Sequence, residues 1–101
     1  MIFVYVTFPS KKEAKKISQE ILKKRIVGCI NIFPIESTYW WKRKLANKKE
    51  VVVIFKTLKK NFKKLEKAIK KLSPFNIPCI APIEVSKINK EYKDWIKSEV
   101  L

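Results

Sequence analysis

The sequence predicts a small α+β domain in which strands and helices follow one another as β-α-β-β-α-β and a short helix closes the chain. Three observations predict it. Four segments are dense in β-branched and aromatic residues, and two lysine-rich segments carry apolar residues at helical spacing. These stretches interleave in that order, with no linker or repeat between them. At 101 residues the chain is long enough for one domain, 1–101, and too short for two.

Residues 2–8, IFVYVTF, read as the first strand, which Pro9 ends. Ser10-Lys11-Lys12-Glu13 then has the S-x-x-E form of a capping box. The helix it starts runs to about Arg25, with Ala14, Ile17, Ile21 and Leu22 facing the core. IVGCINIFP, residues 26–34, is the second strand. Ala46-Asn47-Lys48-Lys49 reads as a polar turn before the third strand, EVVVIFKTL at 50–58. A second helix covers about 60–72 on a stripe of Phe62, Leu65, Ile69 and Leu72, and Ser73-Pro74 stops it. CIAPIEV, residues 79–85, is a fourth strand, placed at an edge or bulge by Pro82. Asn89 caps a last helix expected to bury Tyr92, Trp95 and Ile96.

This order is the ferredoxin-like arrangement. Its two helices cover one face of the sheet. Yet every residue from Val51 to Phe55 is apolar, and residues 26–33 are nearly so. Strands that are apolar on both faces need a second cover, and the last helix is too short to supply all of it. The sequence therefore predicts that copies of the chain meet on the other face.

Composition removes several chemistries. With 47% hydrophobic residues the chain can bury a core, and no apolar run approaches the roughly 18 residues of a membrane helix. Residues 1–9 lack the features of a secretory signal, so a cytoplasmic location is expected. There is no histidine, hence no Ser-His-Asp or Cys-His catalysis and no His-based zinc site. The single glycine, Gly28, cannot build a phosphate-cradling loop. Cys29 and Cys79 sit among apolar neighbours and read as small buried hydrophobes. Neither stands at ligand spacing with the other acids, such as Glu36, although thiols could hold a soft cation such as Cu(I).

The net charge of +15 raises nucleic acid as the alternative function, since RNA-recognition domains share this element order. Phe3 and Tyr5 could stack bases from the first strand. The third strand lacks the matching aromatic pattern, and its only aromatic is Phe55. Moreover, 22 of the 24 basic residues are lysine, whereas base reading favours arginine. A buried sheet face fits these strands better. The block STYWWKRK, residues 37–44, combines aromatics with bases. Alternation points Tyr39 and Trp41 to one side and Trp40 to the other. They serve either as packing at a subunit contact or as walls of a small anion pocket charged by Lys44 or Lys56, and the two roles can coexist. Glu84 beside Lys56 reads as an ordinary ion pair.

The segments GCINIFP, STYWWKRK, EVVVIFKT, SPFNIP, API and YKDWI, taken together, resemble the CutA family of divalent-cation tolerance proteins. The resemblance runs from Thr7 to Ile96. It implies a ferredoxin-like subunit in a tight homotrimer, non-enzymatic and cytosolic, linked to copper and other divalent cations. The family fold is similar to that of PII signalling trimers, which suggests regulation by a small ligand. In such an assembly Tyr39, Trp40, Trp41, Lys44, Lys56 and Glu84 are the candidate residues of an inter-subunit cleft or ligand-binding site. Three departures stand out. Trp41-Lys42-Arg43-Lys44 replaces the family's W-E-G-K, exchanging an acid for a base and losing the turn glycine. Ser73–Cys79 replaces H-P-Y-x-x-P-E. The positions that match the copper ligands described for the family are Val6, Leu72 and Ser73, none of which can ligate.

Overall fold

The computed structural model describes residues 1–101. Strand β1 (Ile2–Phe8) leads to helix α1 (Lys11–Lys23), and strands β2 (Cys29–Trp41) and β3 (Lys44–Thr57) follow. A single 3-10 turn at Lys59–Asn61 runs into α2 (Phe62–Leu72). Then come β4 (Ile80–Glu84) and α3 (Lys90–Glu99). All strand pairs are antiparallel, in the order β2-β3-β1-β4. The expected ferredoxin-like order is present, and the Pro82 strand lies at an edge.

Alternation along the strands builds the core. Ile2, Val4, Val6 and Phe8 of β1 join Val51, Val53 and Phe55 of β3 in one buried cluster with Ala14 and Ile21 of α1 and Leu65 and Ile69 of α2. The lysines of both helices are exposed, as the 3.6-residue period requires. Ser10 caps α1 by accepting from the Glu13 amide at 3.3 Å. The reciprocal half of the box is not made, and Glu13 Oε2 is buried without a partner.

The C-terminal helix docks across the start of β2. Ile96 and Val100 close over Gly28, where an added Cβ would lie 2.8 Å from Ile96 Cδ1. Leu101 N donates to the Arg25 carbonyl, and Arg25 pairs with Glu99 at 2.9 Å. Beneath lies a buried polar knot. Asn61 Nδ2 donates to the carbonyls of Ile26 and Leu101 and to Thr57 Oγ1, which itself donates to Ile26 O at 2.6 Å.

Several expectations need correction. Ala46–Lys49 is not a turn but part of β3, paired with β2 from Glu36↔Lys49 to Tyr39↔Ala46. The segment is polar because it projects beyond the rest of the sheet: β1 pairs only with Val51–Thr57 of β3. The turn sits at Lys42-Arg43, both with positive φ (50° and 65°), the backbone of a two-residue hairpin turn. Arg43 thus tolerates the angle that glycine would ordinarily take. Helix α3 fully buries only Ile96; Tyr92 is half-buried and Trp95 is exposed. Cys79 is exposed and Cys29 half-buried, because Cys79 precedes β4 in a loop and not in a packed strand.

Candidate functional site

The overhang of β2 and β3 makes the site. Residues 44–50 of β3 pair only with β2, giving a two-stranded ribbon about 20 Å long at ~3.4 Å per residue. On one side of it Tyr39, Trp41 and Ser37 of β2 stand beside Ala46, Lys48 and Glu50 of β3. The loop after α2 supplies Phe75, Asn76 and Cys79 opposite, and Thr7 of β1 closes the end. The result is an open cleft of about 490 Å³ on the side of the sheet away from α1 and α2.

Of the residues singled out in the sequence, Tyr39 and Trp41 share this cleft. Trp40 turns to the opposite side, 71% exposed, across from Leu45 at 64%. Lys44 pairs with Trp41 at the ribbon tip, outside the cleft lining. Lys56 is at the far end of β3, its Nζ 5.0 Å from the Phe3 ring centre and 5.4 Å from that of Tyr92. The ion pair expected between Glu84 and Lys56 is not formed: Glu84 meets Lys59 at 2.5 Å. The 3-10 turn carries Lys59 to the end of β4, while Lys56 is drawn under the aromatic rings. The hydrogen bond and charge of Lys59 hold the Glu84 carboxyl below its ordinary range.

Sequence reasoning missed Lys48, Glu50, Phe75 and Cys79 as cleft residues. A strand period running through Ala46, Lys48 and Glu50 was the available signal, hidden by the polar character of the ribbon. A second cluster surrounds Lys56. Cys29 is its partner across β2 and β3, and Tyr92 of α3 lies against Cys29. Burial, and then the hydrogen bond to the Cys29 thiol, push the Tyr92 phenol up to about 12. Base stacking on the sheet finds no support, since Phe55, the one aromatic of β3, is wholly inside the core.

These features define a class: a ferredoxin-like α+β domain whose sheet is extended by a two-stranded ribbon that bears an open aromatic cleft. Comparison with known proteins makes this particular. Residues 2–99 match the family model for the CutA1 divalent ion tolerance protein. The chain is 40% identical over 101 residues to the divalent-cation tolerance protein CutA of Thermotoga maritima, covering all of both chains. Among solved structures it superposes on CutA1 from Pyrococcus horikoshii with a TM-score of 0.97 at 37% identity, covering 100% of this chain and 99% of that one. It matches the protein described as the periplasmic divalent cation tolerance protein CutA of Archaeoglobus fulgidus equally well, with a TM-score of 0.97 at 36% identity and full coverage of both. The chain belongs to the CutA1 divalent ion tolerance family.

Proposed function

We propose that the chain acts in divalent-cation tolerance as a homotrimeric, non-enzymatic binding protein whose cleft is completed by a neighbouring subunit. The overhanging ribbon carries this proposal. A lone two-stranded ribbon is marginally stable in water. This one presents apolar side chains on both faces, Tyr39 and Trp41 on one and Trp40 and Leu45 on the other. Phe33 and Ile83 extend the exposed apolar surface across the sheet. A single chain has nothing left to cover them, so another copy is the fitting partner; three copies is the count the family resemblance implies.

Catalysis is not part of the proposal, because the chain lacks histidine and no hydrogen bond in the cleft couples Cys79, Ser37 or Thr7 to Lys48 or Glu50. Nor does the family's copper ligand set carry over. Val6 is fully buried in the core, Leu72 and Ser73 offer no suitable donors, and nowhere do three metal-capable side chains gather. On this reading the response to copper runs through assembly or through a cleft ligand. A cytoplasmic location belongs to the same proposal, since two free thiols, one exposed, suit a reducing compartment.

Native mass spectrometry of tag-free protein tests both parts. A trimer that gains no metal from Cu(II), or from Cu(I) under reduction, is the expected result. A stable monomer at micromolar concentration would sink the assembly, and copper uptake in a fixed ratio would overturn the claim about ligands.

A further inference from the structure

Charge is not spread evenly over this molecule. Residues 11–24 and 59–72, the two covering helices with their ends, hold thirteen lysines against three glutamates, a net of +10 out of the chain's +15. All thirteen lysines are exposed. Only Lys59 and Lys70 are in ion pairs, with Glu84 and Glu66. The layer faces away from the cleft, on the opposite side of the sheet. Its charge therefore serves neither the core nor the proposed subunit contact.

From this we infer that the outer surface of the α1–α2 layer is an electrostatic docking face for the phosphate backbone of duplex nucleic acid, bound without regard to sequence. Two observations choose the partner. Lysines recur at i, i+4 along both helices, as in Lys11–Lys15, Lys12–Lys16, Lys63–Lys67 and Lys67–Lys71. That spacing is about 6 Å along a helix axis, close to two phosphate steps of one strand at about 3.4 Å each. Second, none of the exposed large hydrophobic side chains lies on α1 or α2. A face without aromatics cannot stack bases, and one without apolar wedges cannot insert into a bilayer or unstack a duplex. Lysine, a strongly hydrated point charge, suits phosphate contact that positions without specifying. This site differs from base stacking on the sheet face and is independent of the assembly proposal.

The test is fluorescence anisotropy of a labelled 25-base-pair duplex with the full chain, titrated at several salt concentrations. Two triple variants are compared, each changing the net charge equally. Lys63→Glu, Lys64→Glu and Lys67→Glu act on α2; Lys90→Glu, Lys93→Glu and Lys97→Glu act on α3. All six positions are exposed, and circular dichroism checks the fold of both variants. We expect the wild-type affinity to fall steeply with salt. The α2 variant should bind about 10-fold or more weaker at 50 mM salt, with a log–log slope shallower by about 3. The α3 variant should lose less than a third of that effect on a logarithmic scale. Equal losses in both variants would reduce the effect to net charge and overturn the site. Absence of duplex binding at 50 mM salt would overturn it as well, as would binding to phosphatidylserine vesicles in place of the duplex. If one triple fails to fold, single Lys→Gln changes along α2 keep the slope measurable.

Discussion

Replacing Asn61 by aspartate tests whether the buried polar knot is held by donated hydrogen bonds or merely by shape. The side chain is 2% exposed, and its amide nitrogen faces Ile26 O at 3.1 Å, Leu101 O at 3.2 Å and Thr57 Oγ1 at 3.4 Å. Asn61→Asp keeps the shape and turns the donor into an acceptor among three oxygens. Two lost hydrogen bonds at about 1 kcal/mol each are then joined by a buried, unpaired charge, and a loss of about 3–5 kcal/mol is expected at pH 8. Asn61→Leu removes the donor without adding charge and should cost about 2–3 kcal/mol. Desolvation and the facing carbonyls raise the folded-state pKa of the introduced carboxyl above its unfolded value of about 3.9. A raised carboxyl pKa leaves the fold least penalised below about pH 3.9, and stability is lost as pH rises through the folded value. The aspartate penalty should therefore shrink between pH 8 and pH 4, while the leucine penalty stays constant. Guanidinium unfolding, followed by far-UV circular dichroism at fixed protomer concentration, reads both. Equal, pH-independent losses for the two variants would refute the donor argument.

Three further outcomes follow from the geometry. Arg43→Gly should stabilise by about 0.5–1 kcal/mol in the same unfolding assay: relief of a left-handed angle at φ 65° outweighs the extra freedom of glycine in the unfolded chain. An unchanged or lower midpoint would mean that Arg43 is held by contacts worth more than its backbone angle. Gly28→Ala should cost about 1 kcal/mol, because a Cβ at 2.8 Å from Ile96 Cδ1 makes that buried side chain repack and loosens the seat of α3. Hydrogen exchange should speed up over residues 90–99 and not over α1, and Ile96→Val should restore part of the loss. Tyr92 should ionise near pH 12 by ultraviolet absorbance, a component that Tyr92→Phe removes. Because its folded pKa is raised, its contribution is complete below about pH 10 and fades as pH rises through about 12. Tyr92→Phe should accordingly lose less stability than wild type across that window.

The fold was legible wherever a period was long and its faces chemically distinct. The stripe of Leu65 and Ile69 between exposed lysines announced α2, and the unbroken apolar run Val51–Phe55 announced a central strand. The site was legible only in part. Alternation separated Tyr39 and Trp41 from Trp40, but nothing local marked Ala46–Lys49 as strand. A ribbon lying outside the monomer's core has no single buried face to reveal its period, so the polar residues of its β3 strand imitate a turn. Glu84 and Lys56 failed as a pair for a different reason. Their elements are close in the topology, yet which lysine meets the acid depends on how the 3-10 turn at Lys59–Asn61 carries the chain. Side-chain partners at element ends are set by such turns, and composition does not encode them.

The two periods also explain how a chain of +15 could meet copies of itself. Helical spacing gathers the lysines of α1 and α2 on the outside of one layer, whereas the exposed large apolar groups all lie elsewhere. β1, at the centre of the sheet beside β3, carries no charged side chain at all. The helix layer stands on the order of 10 Å above the sheet, and the lysine ends reach further, so the helix-layer charges of two subunits joined through their sheets are separated by more than the Debye length of about 8 Å at physiological ionic strength. Salt then has little repulsion between the helix layers to screen, and kosmotropic salts strengthen apolar burial. Docking of a polyanion on the helix layer responds in the opposite direction, because it proceeds by releasing counterions and weakens steeply as salt rises. Assembly and docking are thus separable by one variable: raising salt should leave the oligomer intact while stripping any nucleic acid from its outer face.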